Sequence, residues 1–126
     1  EYQKSIKKIY NLIKKVDRME DSKFFRKYDN FLNFQAEKYG KSVLFENEHI
    51  YVGLNCMGPG QVLEKHSHEN QSRFYMVVEG NANVWVGNDE KEVEQGVVIW
   101  VPPNYYHKII NAGCNRLVLL VGFTEF

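Results

Sequence analysis

Residues 60–80 read GQVLEKHSHENQSRFYMVVEG, and the fold is decided here. The stretch opens and closes on glycine and carries His66-Ser67-His68, Arg73 and Tyr75 between them. Residues two apart on a β-strand point to the same face, so His66 and His68 can aim at one point. A second stretch, residues 96–111, reads GVVIWVPPNYYHKIIN and carries His107. Three of the chain's four histidines fall in these two stretches. Imidazole nitrogen suits zinc, iron, copper and nickel, so a neighbouring strand that added His107 would complete a metal centre. The alternative is three solvent-facing or hydrogen-bonded histidines.

Working outward, the chain from residue 42 alternates short apolar runs with turn signals. Strands are expected at 42–46, 49–57, 61–68, 73–79, 82–87, 91–94, 97–101, 105–110 and 116–124. They are punctuated by Gly58-Pro59-Gly60, Glu79-Gly80-Asn81, Gly87-Asn88-Asp89, Gln95-Gly96, Pro102-Pro103-Asn104 and Asn111-Ala112-Gly113. Many short strands separated by such turns predict an all-β sandwich or barrel. Before them, Ile6, Ile9, Tyr10, Ile13 and Val16 recur at helical spacing, which predicts an amphipathic helix over 3–19 that packs its apolar face on a core. Asp21 or Ser22 is placed to cap a second short helix holding Phe24, Phe25 and Tyr28. Gly40 marks the break, so we expect a helical N-terminal arm over 1–41 and a barrel over 42–126.

The two stretches resemble the paired motifs of the cupin superfamily. The first runs Gly60, five residues, His66-Ser67-His68, four residues, Arg73, six residues, Gly80; the second runs Gly96, five residues, Pro102, one residue, Asn104, two residues, His107, three residues, Asn111. Asn104 stands where glycine is usual. The resemblance covers residues 42 to about 124 and implies a double-stranded β-helix, that is, a jelly-roll barrel. It also implies a divalent transition metal (zinc, iron, nickel or copper) inside the barrel, held by His66, His68, His107 and a glutamate. The glutamate position is Arg73, which cannot ligate a metal and adds positive charge. Several arrangements stay open: a three-histidine centre, a fourth ligand from Gln71 or Glu69, or Arg73 turned inward to grip an anionic ligand with its planar fork. The opposite case is Arg73 turned outward onto an acidic partner with no metal bound.

Alternation places Tyr75 and Val77 on the face of Arg73, and Tyr105 and Ile109 on the face of His107. Arg73, Tyr75, Tyr105 and Gln71 are therefore the candidate ligand-binding residues of a small, mostly apolar pocket, with Met57 and Gln61 at its opening. Tyrosine hydroxyls there can orient a ligand or act as weak acids; each is also an ordinary core residue with its hydroxyl at a rim. His49 has no partner at ligand spacing and reads as a surface histidine. Trp85 and Trp100 fall on the outer parity and need cover, from the arm or from a second subunit, so a homodimer is expected.

The 126 residues carry no net charge, but it is unevenly spread. Residues 1–41 hold eleven Lys/Arg against six Asp/Glu, and residues 42–126 hold five against ten. The simple reading is a basic arm docking on an acidic remainder; no nucleic-acid motif is present, so nucleic acid is not an expected partner. No apolar run reaches membrane-span length and the charged start lacks a signal-peptide pattern, so a cytoplasmic protein is expected, although a leader removed upstream stays open. Cys56 and Cys114 read as free thiols. Three functions follow. The first is a metal-dependent enzyme on a small polar or anionic molecule, with oxygenase, isomerase or lyase chemistry open. The others are a ligand-binding or sensing barrel, possibly metal-free, and a partner-binding protein with a vestigial pocket.

Overall fold

The computed structural model of the protein describes residues 2–17, 21–65 and 69–125. His66, Ser67 and His68 lie outside the described residues, as does the end of the expected first helix. Two compact units divide between Asn30 and Phe31, so residues 31–41, expected with the arm, belong to the barrel unit.

The first unit holds helix α1, Tyr2–Asp17. Of its apolar side chains, Tyr2, Ile6 and Ile9 are exposed. The second expected helix is replaced by a turn. Ser22 Oγ accepts a bond from the Phe25 amide at 3.3 Å and the Asp21 carboxylate accepts one from the Lys27 amide at 2.9 Å, after which a single 3₁₀ turn spans Tyr28–Phe31. Ser22 and Asp21 satisfy backbone donors as caps do, but the aromatic pair Phe24-Phe25 finds no core and stays exposed.

The second unit is the expected barrel, built as two antiparallel sheets. In chain order the strands are β1 Gly40–Glu46, β2 Ile50–Met57, β3 Val62–Lys65, β4 Gln71–Glu79, β5 Ala82–Val86, β6 Asp89–Val93, β7 Val98–Val101, β8 His107–Ile110 and β9 Leu117–Glu125. One sheet runs β1-β2-β9-β4-β7 and the other β3-β8-β5-β6. Gly40, expected as a break, starts β1 and is buried. The inward faces of both sheets supply one core of Met57, Leu63, Tyr75, Val77, Val84, Ile99, Val101, Ile109, Leu117, Leu119 and Val121. On β4 and β7 these residues alternate with more exposed ones, as the two faces of a pleated strand require, whereas β2 and β9 are buried over most of their length.

Two turn residues fix the strand ends. Gly80 has φ +92, and a Cβ there would run into the Arg116 carbonyl. Asn104, which stands where the resembled motif usually has glycine, has φ 70, a left-handed conformation that asparagine tolerates better than most side-chain-bearing residues. Asn111, at the end of the second motif, is buried and clamps loops: its amide donates to the Met57 and Asn115 carbonyls at 3.0 and 2.9 Å. Cys56 is buried and Cys114 exposed, both free.

Candidate functional site

Strand β4 builds the site by alternation. Gln71, Arg73 and Tyr75 point into the barrel and are buried, Arg73 with 9% of its surface exposed and Tyr75 with none. Strand β8 adds His107, 2% exposed, from the opposite sheet. The four side chains form one hydrogen-bonded chain. Arg73 Nη2 donates to Gln71 Oε1 at 3.1 Å, and Arg73 Nη1 donates to Tyr75 Oη at 3.1 Å. Tyr75 Oη lies 2.8 Å from His107 Nε2. At the outer end, Gln71 Nε2 donates to the exposed Glu125 carboxylate at 3.1 Å. The guanidinium also lies over the Phe123 ring, 4.5 Å from its centroid, and that ring stacks on Tyr51. A flat cation on an aromatic face gains from the ring's negative quadrupole.

The direction of the protons follows from counting donors. Arg73 can only donate, so Tyr75 Oη accepts from it. If the Tyr75 proton is to be used, it goes to His107 Nε2, which is then the lone-pair nitrogen, and Nδ1 carries the hydrogen. Burial, then the Arg73 and Lys65 charges, lower the His107 imidazolium to about 4, against a smaller upward pull from the Tyr105 carbonyl, which stands outside hydrogen-bond geometry. The ring is neutral at pH 7. Among the described residues, the buried Arg73 Nε and His107 Nδ1 have no hydrogen-bond partner, and on this assignment both are donors.

The site is cationic. Lys65 is the cross-strand partner of His107 and so shares its face. Burial, then Lys41 and Arg73, lower the Lys65 ammonium to about 8. Among the described residues neither Arg73 nor Lys65 makes an ion pair with a carboxylate. Burial raises the Tyr75 hydroxyl, with Arg73 opposing, so it stays protonated at neutral pH.

Other expected residues lie elsewhere. Tyr105 is 48% exposed and does not join Arg73. Strand β8 begins only at His107, after the left-handed turn at Asn104, so alternation does not reach back to Tyr105; its ring packs instead beside Gly87. Gln61 is tied up, accepting from the Gly58 amide and donating to the Gln35 carbonyl, and Met57 is a core residue. Glu64 turns outward to Tyr106 and Lys108, and Glu69 is exposed. His49 sits on the surface beside Glu48. Trp100 faces out as expected, 67% exposed, while Trp85 lies half-buried with the Lys108 ammonium over its ring. Lys65, Lys41 and Phe123 belong to the site but were not anticipated. Lys65 had a signal, being two residues from the inward Leu63; the others depend on strand pairing.

For the divalent metal that the resemblance implies, the described residues make a poor fit. Of the expected ligands, His66 and His68 lie outside them. His107 Nε2 is hydrogen-bonded to Tyr75 Oη, and the Arg73 and Lys65 charges both act on the His107 ring. Among the described residues no three His, Cys, Asp or Glu side chains gather to hold a metal.

A two-sheet antiparallel barrel with a polar chain buried between its sheets is the architecture of the double-stranded β-helix proteins. Residues 53–123 match the cupin domain family, and the chain belongs to it. A protein from Thermus thermophilus has a similar structure, with TM-score 0.76 and 26% identity over 80% of this chain and 96% of that one. A sugar phosphate isomerase of the cupin superfamily from Silicibacter pomeroyi is similar at TM-score 0.57 and 25% identity, over 62% of this chain and 52% of that one. An uncharacterized protein of Methanocaldococcus jannaschii is 35% identical over 55 residues, so the matched part spans 44% of each chain. Among the described residues no helix is long and apolar enough to cross a membrane.

Proposed function

We propose that this cupin barrel binds a small molecule carrying a carboxylate or phosphate group, and that Arg73 grips that group. The observation that carries this reading is the buried Arg73 guanidinium, which has hydrogen-bonding neighbours but no carboxylate partner among the described residues. A buried charge without a counter-charge is costly, and an anionic ligand offsets that cost. The planar fork of arginine matches the two oxygens of such a group. Lys65 reinforces the field, and the two unpartnered buried donors call for an acceptor, which an anion supplies. The sugar phosphate isomerase among the similar structures is named for an anionic substrate, in keeping with this reading.

Calorimetry with inorganic phosphate and a series of small carboxylates, each beside its neutral amide, tests the proposal. Arg73→Gln should weaken binding by about tenfold or more, and Arg73→Lys should recover only part of it because the fork is lost. Amides that bind as tightly as the acids, or an Arg73→Gln protein of unchanged affinity, would overturn the reading. A second reading, a metal-dependent enzyme of oxygenase, isomerase or lyase type, is favoured by the spacing of His66, His68 and His107 alone. Metal content of the protein as purified, and its loss in a His66→Ala/His107→Ala variant, would support that one.

A further inference from the structure

We infer that this barrel is built to exclude a divalent metal, with Tyr75 capping the ligating nitrogen of His107 and the Arg73 guanidinium supplying the positive charge in the metal's stead. The inference concerns the same site as the anion reading but does not depend on it. Three observations carry it.

The first is the 2.8 Å hydrogen bond between Tyr75 Oη and His107 Nε2, in a place where both side chains are buried. A metal needs a lone pair on imidazole nitrogen. With Nδ1 protonated, the Nε2 pair accepts the Tyr75 proton. Freeing Nδ1 instead requires the other tautomer, in which Nε2–H and Arg73 both donate to Tyr75 Oη and the Tyr75 proton is left with no acceptor in the core. Either route strands a buried polar group.

The second observation is that the cap is itself held in place. Arg73 donates to the same Tyr75 oxygen at 3.1 Å and is fixed on its other side by Gln71. A hydroxyl that accepts from a guanidinium is a stronger donor to its own acceptor, so the chain from Arg73 through Tyr75 to His107 is cooperative. Tyr75 cannot swing away without breaking both bonds.

The third is charge. Arg73 and Lys65 both act on the His107 ring, and Lys41 acts on Lys65. A divalent cation at His107 would meet these charges in a partly desolvated interior, where repulsion is strong. The nearest carboxylate in the chain of bonds, Glu125, is exposed and bonded to Gln71, not to Arg73. Cationic side chains therefore already act on His107, and among the described residues no carboxylate pairs with Arg73 or Lys65.

The experiment is a gain of function. The full chain is stripped with a chelator, desalted and titrated with Co2+, and its visible d–d absorption and bound metal after gel filtration are measured. Wild type should take up no stoichiometric Co2+. Tyr75→Phe, which frees His107 Nε2, and Arg73→Glu, which reverses the charge, should each tighten Co2+ binding by about tenfold or more. Their combination should give a stoichiometric complex that a further His107→Ala change abolishes. Arg73→Gln stands in for Arg73→Glu if the charge reversal does not fold, with folding read from amide NMR spectra of every variant. A wild-type protein that binds one equivalent of Co2+ and loses it on His107→Ala would overturn the proposal. So would folded variants that bind no better than wild type. Anion binding is measured separately on the metal-free wild type, so the two readings fail independently.

Discussion

At the scale of single residues, the site is defined by what Arg73 lacks. Its neighbours Gln71, Tyr75 and Phe123 satisfy its geometry but not its charge. Lys65 registers the same imbalance, since its ammonium is lowered to about 8 by burial, then by Lys41 and Arg73. This gives a pH prediction with a definite sign. At pH 7 Lys65 is mostly protonated, and by pH 9 it is mostly neutral, so the site loses one positive charge as pH rises through about 8. Affinity for a carboxylate, whose own charge is constant over that range, should fall by about threefold to tenfold. Binding should take up protons near pH 8, because a bound anion favours the charged lysine. Lys65→Met should bind more weakly at pH 7 and lose this step in the profile. A wild-type affinity flat from pH 7 to 9, measured by calorimetry, would contradict the role given to Lys65.

At the scale of elements, strand β4 and the turns that bracket it do the positioning. Alternation over Gln71, Arg73 and Tyr75 puts three polar groups on the inner face of one strand, and antiparallel pairing with β9 sets Phe123 directly beside Arg73. The turn after β4 depends on Gly80, where both the positive φ and the Arg116 carbonyl forbid a Cβ. Gly80→Ala should therefore destabilise the protein by about 2 kcal/mol or more in urea unfolding. Asn104→Gly, at φ 70, should change stability by less than about 0.5 kcal/mol, because relief of the left-handed strain offsets the added freedom of the unfolded chain. Equal effects at the two positions would mean that the Arg116 contact is not what makes Gly80 necessary.

At the scale of the whole molecule, one outer surface of the barrel is apolar and exposed. Strand β7 is the edge of the five-stranded sheet, and its outward Val98 and Trp100 are exposed beside Phe74 of β4, the register partner of Trp100. The other sheet ends on β6, whose Asp89, Glu90, Lys91 and Glu92 guard it with charge; β7 has no such guard. The homodimer expected from the sequence is accordingly proposed through this face. Light scattering should give the mass of two chains, and Trp100→Lys should shift it to one, with the fold retained by circular dichroism. A wild-type protein that is monomeric at high micromolar concentration would remove the proposal.

The sequence by itself determined the all-β barrel, because a two-residue apolar period and glycine- or asparagine-marked turns are local signals that each strand carries alone. It also determined that Arg73 and Tyr75 share a strand face, since alternation needs no partner. It located His107 but not what His107 does. The hydrogen bond from Tyr75, the pairing of Lys65 opposite His107 and the stacking of Phe123 under Arg73 join positions 32, 42 and 50 residues apart, and only pairing of the strands brings them together. Tyr105 was misplaced for the same kind of reason. Alternation holds only within a strand, and β8 begins at His107, so Tyr105 lies in the turn segment before it and follows no strand parity. Period and turn chemistry are properties of a segment, whereas the charge and protonation of a buried site depend on every segment that closes over it.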